Sequence, residues 1–404
     1  MEPIQRSEKL QPVHSDIRGP VFVEAMRMMA EGQDVLRLNT GNPATFGFGM
    51  PDSVKSALME NADKAVGYCD FRGMPAAREA ILNYETGKGI QGLTMDDVFI
   101  GNGVSELAQF AATVLLHYHD ELLVPSPSYS LWTNVTHLAG AKPVFYTCDE
   151  QADWFPDLND IRKKITPKTR AILIINPNNP TGALYPKELL EQLIQIAREN
   201  DLVIISDEIY DRLVMDGKEH ISTASLCPDW PVITFNGLSK SHIICGFRCG
   251  WMTVSGPDEI TSDFKAGMVA LASMRLCGNA LTQLVIPAAL EDEASTQAML
   301  VPGGRLYEQR RACVEAIRQF PWLSVVPNSA AFYIFPKIDM TRCPITDDRK
   351  FAMDLLHATN VLLVPGSGFD WPKPDHFRVV MLPEAGTLAK AMTDLGHFLE
   401  TYRQ

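Results

Sequence analysis

With 404 residues, 46% of them hydrophobic and 21% charged, the chain has the makeup of an ordinary globular protein, long enough for two domains or one large α/β domain with a smaller companion. A formal net charge of -13 with no long basic run argues against nucleic acid or an anionic membrane surface as the main partner. No apolar run approaches the length needed to cross a bilayer, and the opening MEPIQRSEKLQPVHSD lacks the apolar core of a secretory signal, so a cytoplasmic location is expected.

In chain order, the first predicted element is a helix-like PVFVEAMRMMAEG, followed by the turn-rich LNTGNPATFGFG. Short apolar runs then alternate with helix-length segments: VFI at 98–100, ELLV at 121–124, AILII at 171–175, LVIIS at 202–206 and VITF at 232–235. Runs this short and apolar throughout predict a mostly parallel sheet covered by helices on both faces, an α/β fold. Between two of them, PKELLEQLIQIAREN (186–200) opens with a proline suited to a first helical turn and repeats apolar residues every three to four positions, as a crossover helix does. From about Gly303 the texture changes to a helical LYEQRRACVEAIRQF and then short strands near SVVP, AAFYIF, VLLV and FRVVM, which indicates a separate α+β unit. Residues 1–48 are expected to pack with this unit of residues 301–404, leaving 49–300 as the large domain. The eight cysteines show no CxxC spacing; Cys245 and Cys249 flank Arg248 without a second pair, so packed, reduced thiols and no metal site are expected.

Open parallel sheets bind ligands at the carboxyl ends of their strands, and four of the predicted ends are unusual. After VFI comes GNGVSEL, where the amides of Gly103, Val104 and Ser105 and the Ser105 hydroxyl would bind a phosphate at a helix start, although such a segment is also an ordinary turn. After AILII comes NPNNPTG, which could merely stop the strand; it also sets Asn178 and Asn179 at a rigid corner, where Asn179 could bond a fixed ligand oxygen. After LVIIS comes DEIYDRL, in which Asp207, with Glu208 and Tyr210 close behind, either caps a following helix or must meet a cation or strong donor to lie at a buried strand end. After VITF comes NGLSKSHIICGFRCGW, with Lys240 among glycines, small residues and apolar residues. Burial disfavours an ammonium and leaves an amine free to act as nucleophile and proton carrier, which suits a Schiff base with an aldehyde. If that aldehyde is a pyridoxal ring, the ends divide as phosphate on GNGVSEL, ring hydroxyl oxygen on Asn179 and Tyr210, ring nitrogen on Asp207 and aldehyde on Lys240.

NPNNPTG, SDEIYD and GLSK, followed eight residues later by Arg248, resemble the class I and II aminotransferases among the fold-type I pyridoxal 5'-phosphate enzymes, in order and spacing from Gly41 to Arg378. Within that family, SDIRGPVFVEA, LNTGNPATFGF, GYCDFRG, DWFPDL, LASMRLC, VPGGRLYEQR and FYIFPKI are most similar to the bacterial alanine (glutamate-pyruvate) aminotransferases. The resemblance implies a ping-pong transaminase that moves an amino group between L-alanine and 2-oxoglutarate, with pyridoxal 5'-phosphate as cofactor and amino acids and 2-oxo acids as substrates. It implies that Lys240 anchors the cofactor and carries the proton, that Asp207 holds the ring nitrogen, that Tyr210 and Asn179 hold the ring hydroxyl oxygen and that Tyr129 stacks on the ring. It places the phosphate on Val104, Ser105, Ser239 and Arg248, with Tyr68 reaching the phosphate of a neighbouring subunit, hence a homodimer with shared active sites. Arg378 would clamp the substrate α-carboxylate, with Asn179 beside it and Gly41 letting the substrate approach the backbone, and Arg18 is the candidate for a glutamate side-chain carboxylate.

Two segments depart from the family pattern. SHIICGF follows the lysine where aromatic and basic residues are expected around Ile243, and Ser130 stands where a proline is common; both bear on substrate preference and loop packing rather than on the cofactor. The competing expectations are a family member with a valine or aromatic donor, a β-elimination lyase on the same cofactor, and a ligand-sensing domain of a transcriptional regulator. The last would need a DNA-binding segment ahead of Gly41, where only about forty residues stand.

Overall fold

The computed structural model describes residues 3–404. The chain opens with the helix Pro20–Ala30, which buries Val21, Ala25 and Met28 at the three-to-four spacing of one helical face, and then enters β1 (Leu36–Arg37). The large sheet follows: β2 (Val98–Asn102), β3 (Glu121–Ser126), β4 (Lys142–Asp149), β5 (Phe155–Pro156), β6 (Thr169–Ile175), β7 (Val203–Asp207), β8 (Val232–Gly237) and β9 (Cys249–Ser255), in the spatial order β2-β9-β8-β7-β6-β3-β4-β5. Strands β8, β7, β6, β3 and β4 run parallel to one another, and β9 lies antiparallel between β8 and β2.

The five apolar runs all become strands of this sheet, and the run-based reading passes over three more, one of them the two-residue β5. Strand β4, KPVFYTCD, carries the short run VFY but mixes buried, half-buried and exposed positions like an outer strand, so its pattern is weaker than that of the central runs. Strand β9, CGWMTVS, is buried along its whole length, but Gly250, Thr253 and Ser255 interrupt its apolar pattern.

Burial on both faces follows the period of two. Along β6, Ala171, Leu173 and Ile175 join Phe99, Leu122 and Val124 beneath the helix Val104–Leu115, whereas Ile172 and Ile174 join Leu123 and Ile204 beneath the helix Lys187–Glu199. Each fully buried leucine or isoleucine contributes about 1.5–3 kcal/mol of transfer free energy, so these two layers hold the strand ends rigidly enough to carry a site.

The last hundred residues form the helix Arg305–Ile317, β10 (Leu323–Ser324), β11 (Tyr333–Ile334), β12 (Lys337–Ile338), the helix Asp348–Thr359, β13 (Val361–Leu362), β14 (Val364–Pro365), β15 (Phe377–Val380) and the helix Ala385–Thr401. Strand β15 lies antiparallel between β11 and β14, and β13 pairs in parallel with β1. A single apolar core contains Val21, Ala25, Met28 and Leu38 together with Ile317, Leu356, Leu388 and Leu395. Phe48, Tyr210, Leu306, Phe332, Tyr333 and Leu382 form a further cluster where these elements meet the large sheet, and the cavity described next opens beside it.

Candidate active site

The strand ends converge on a cavity of about 590 Å³, walled by residues of β7, by the segments after β2, β6 and β8, and by β1-proximal and C-terminal residues. Val104, Ser105, Tyr129, Asn179, Asp207, Tyr210, Ser239, Lys240, Arg248, Gly41, Arg378 and Arg18 all line it. Tyr68 does not: its side chain stands 83% exposed on the outer surface.

At the end of β2 the chain turns through Gly103 at φ +81 into the helix Val104–Leu115, whose first amides face the cavity side. A Cβ on Gly103 would sit 2.9 Å from Arg248 Cζ, so the missing side chain is what lets the guanidinium lie against the amide turn. Arg248 is itself left-handed at φ 55, and its Nη1 donates to the Cys245 carbonyl at 2.9 Å. The three donors, helix start, Ser239 and Arg248, form one cationic end of the cavity.

In NPNNPTG the two neighbouring asparagines have separate tasks. Asn178 is spent within the turn, its Oδ1 accepting the Thr181 hydroxyl at 2.9 Å, while Asn179 reaches the cavity and accepts Arg378 Nη1 at 3.1 Å. No helix follows Asp207; the chain continues in turns, so the capping reading gives way to the buried-ligand one. Asp207 Oδ2 accepts the Trp132 indole N–H at 2.8 Å and Oδ1 the Ile209 amide at 3.3 Å. Burial pushes this carboxyl up to about 6, against the hydrogen bonds from Trp132 and Ile209. Tyr210 donates its hydroxyl to Tyr333 Oη at 3.0 Å, and burial beside Tyr333 raises it well above the ordinary phenol value.

Lys240 follows Gly237 on the short turn of helix Leu238–Ser241, and among the described residues its Nζ donates only to the Gly41 carbonyl, at 3.1 Å. A Cβ on Gly41 would come within 2.8 Å of the Phe332 ring, so this backbone can approach the lysine only as glycine. Arg378, on β15, is 1% exposed and its Cζ lies 4.5 and 4.6 Å from the ring centroids of Tyr333 and Phe369. Its guanidinium bonds the Asn39 carbonyl and Asn179, leaves Nε unpaired and has no carboxylate partner among the described residues, and burial pulls its pKa below the ordinary value.

A buried ion network lies behind Asp207. Lys88 Nζ meets Glu85 Oε2 and Glu208 Oε2, both at 2.8 Å, and Asp211 Oδ2 at 3.3 Å. Asp211 also accepts Tyr84 Oη and Asn236 Nδ2, both at 2.6 Å, so the ends of β7 and β8 are tied together beneath the lysine turn. Burial alone would discharge Lys88, but its three carboxylates outweigh that and hold the ammonium well above its ordinary value.

These groups fit pyridoxal 5'-phosphate. Among the described residues Asp207 is a buried carboxylate with hydrogen-bond donors but no salt-bridge partner, as a protonated ring nitrogen requires; Lys240 Nζ has one hydrogen-bond acceptor among them, the Gly41 carbonyl; the opposite end gathers phosphate donors. The parallel sheet with its site at the strand ends and the lysine on the turn after β8 define the class of fold-type I pyridoxal-phosphate enzymes.

The comparisons narrow the class. Residues 33–395 match the model of aminotransferase class I and II, and the chain belongs to that family and is a pyridoxal-phosphate-dependent aminotransferase. It is 50% identical over 404 residues to the glutamate-pyruvate aminotransferase AlaA of Escherichia coli K12, covering 100% of both chains. It is 45% identical over 400 residues to an alanine aminotransferase of Mycobacterium tuberculosis H37Rv, covering 99% of this chain and 93% of the relative. Among solved structures it superposes on an E. coli aminotransferase with a TM-score of 0.98 at 49% identity, covering 100% of each chain. An alanine aminotransferase from Pyrococcus furiosus gives 0.92 at 39% identity, covering 98% of this chain and 100% of that one. The family resemblance read from the motifs is therefore borne out.

Sequence reasoning missed Trp132 and Tyr333. Trp132 stands three residues after Tyr129, one turn along the helix start, a position from which it could be suspected. Tyr333 meets Tyr210 across 123 positions of sequence, and no local pattern announces that.

Proposed function

We propose that this aminotransferase exchanges the amino group of L-alanine with 2-oxoglutarate, forming pyruvate and L-glutamate reversibly, as a cytoplasmic homodimer with shared active sites. The observation that carries an amino-acid substrate is Arg378: a buried guanidinium beside the Tyr333 and Phe369 rings, with no carboxylate partner among the described residues, is costly until an α-carboxylate binds it in a fork. The choice of alanine rests on the full-length relatives named for that reaction.

When bound, the cofactor supplies an electron sink for the pair released at the substrate α-carbon. The protein's residues do the rest. Arg378 and Asn179 would orient the substrate so that its α C–H faces Lys240 Nζ, which would take that proton as general base and hold it as the acid for the return step. Asp207 would hold the ring nitrogen in its protonated form, and Trp132 fixes the aim of its carboxylate. Tyr210 and Asn179 would hold the ring oxygen, Tyr129 would cover the ring face, and Val104, Ser105, Ser239 and Arg248 would hold the phosphate. Phe332, Tyr333 and Phe369 exclude water beside the amine and the guanidinium.

Exposed apolar side chains support the dimer. Val66 and Tyr68 are 90% and 83% exposed, and Met274, Leu276 and Leu281 are exposed on the neighbouring turn and helix, where Cys69 bonds the Gly278 carbonyl. A second copy covering this patch would bring Tyr68 to the partner's phosphate end. We place residues 49–300 in the large domain and residues 1–48 with 301–404 in the smaller one.

The test is spectroscopic. Alanine alone should bleach the near-visible band of the holoenzyme, and 2-oxoglutarate should restore it, each half-reaction proceeding without the other substrate. Strong preference for a valine or aromatic donor, or ammonia released from cysteine or cystathionine with no 2-oxo acid present, would overturn the assignment.

A further inference from the structure

The segment DWFPDL does not line the active-site cavity, yet its backbone is held in an unfavourable shape. Asp153 and Trp154 both stand in the left-handed region, at φ 54 and 64, and the bulky Trp154 is buried. A large side chain is rarely kept there unless its surroundings demand it, and such strain concentrates at functional positions. The turn carries the indole from the corner between β4 and β5 into the C-terminal residues. There it packs on Phe335, Trp371 and His376, with ring centroids 5.5, 5.3 and 5.2 Å away.

His376 is the centre of this aromatic box. Its side chain is fully buried and stacked on Phe335 at 5.0 Å, with Nδ1 2.7 Å from Asp375 Oδ1. Its Nε2 faces Glu150 Oε1 at 3.5 Å and has no hydrogen-bond partner among the described residues. Glu150 directly follows β4 and accepts from Lys337 Nζ at 2.6 Å, so one carboxylate at the corner of the large sheet faces an ammonium and an imidazole of the C-terminal residues. Burial alone would raise the Glu150 carboxyl, but His376 and Lys337 outweigh it and hold the group below its ordinary value. His376 bridges Lys337 and extends β15 backward by one residue, which puts its side chain on the same face as Arg378, two positions on. Phe335 in turn meets Phe369 at 6.1 Å, the ring that lies against the Arg378 guanidinium.

We infer that Glu150 and His376 are positioning residues for the substrate clamp: they lock β15 onto the β4–β5 corner and so set where Arg378 stands over the cavity. The inference rests on the proposed role of Arg378 in holding the α-carboxylate. Lys240 meets the substrate from the large sheet and Arg378 meets it from β15, so the distance between the two depends on how β15 is seated. A displacement of about 1 Å takes both arms of a guanidinium fork out of hydrogen-bonding range, and a latch of one carboxylate, one imidazole and a strained indole resists it.

The test uses the holoenzyme with Glu150→Gln, which keeps the shape and removes the charge, and with His376→Asn, which keeps a donor for Asp375 and removes the edge that faces Glu150. KM and kcat are measured for alanine, pyruvate, glutamate and 2-oxoglutarate, and the rate at which phenylglyoxal modifies Arg378 is followed by peptide mass, with Arg378→Lys assayed alongside. Both variants are expected to raise KM for all four substrates alike, about fivefold or more, while kcat falls less than about threefold. Cofactor affinity should not change, because Lys240 and the phosphate donors lie on the large sheet; a general loss of folding would lower it. Arg378, buried in the wild type, should be modified at least about fivefold faster in both variants as β15 loosens. Modification of Arg378 at the wild-type rate in both variants would overturn the latch, as would faster modification with KM unmoved where Arg378→Lys raises it. Faster modification with KM indifferent to Arg378→Lys as well would leave the latch standing and remove the clamp role alone.

Discussion

Asp207 gives a quantitative expectation for the protein stripped of its cofactor. Its carboxyl, ordinarily near 3.8, is pushed up to about 6 by burial, so the folded chain holds this proton more tightly than the unfolded chain does. Below the unfolded value both states are protonated and the site is neutral in its effect. As pH rises through the window from 3.8 to about 6 the unfolded chain releases the proton first, and above about 6 the whole cost of a buried carboxylate is present, on the order of 3 kcal/mol. Replacing Asp207 by asparagine preserves an oxygen for the Trp132 indole and removes the titration. Urea unfolding of the apoprotein at fixed protein concentration should show Asp207→Asn gaining up to about 3 kcal/mol over wild type at pH 8, with the gap shrinking toward pH 4. Cofactor binding should reverse the order, since a protonated ring nitrogen compensates the carboxylate only in wild type, and turnover of the variant should fall at least about a hundredfold. A stability gap independent of pH, or a variant stabilised equally by cofactor, would refute the reasoning.

Three further outcomes are expected. Lys88→Met leaves Glu208 and Asp211 buried without their cation and should cost about 3–5 kcal/mol, more at pH 8 than at pH 5 because the stranded carboxylates protonate in acid; denaturation midpoints at the two pH values check it. Gly103→Ala sets a Cβ against Arg248 in a left-handed backbone position and should weaken cofactor binding about tenfold or more by displacing the guanidinium, read from the near-visible band in a cofactor titration. Tyr68→Phe should weaken cofactor retention, and mixing it with Lys240→Ala should form hybrid dimers with one site of restored composition, so recovery of activity on mixing measures sharing between subunits.

What could be read from the sequence follows from where the chemistry sits. Strand ends such as Asp207 and Lys240 are legible because a short apolar run stops at a polar or glycine-rich segment whose residue types have few structural uses. Strand β9 is not, since its burial comes from neighbours on both sides rather than from its own composition. The partners that aim the site residues are also silent locally: Trp132 lies 75 positions from Asp207, and Asn39 lies 339 from Arg378. The network around Lys88 is hidden for the same reason, because a lysine at the end of a helix reads as solvated until Glu208 and Asp211, from the segment after β7, close over it.

The shared core of Val21, Ala25 and Met28 with Leu388 and Leu395 sets an order for synthesis. At about 5–20 residues per second, the opening helix waits roughly 20–80 s on the ribosome before its apolar face finds these partners. The large sheet can complete itself meanwhile, so the clamp on β15 is assembled last, after the lysine and its ion network are already in place.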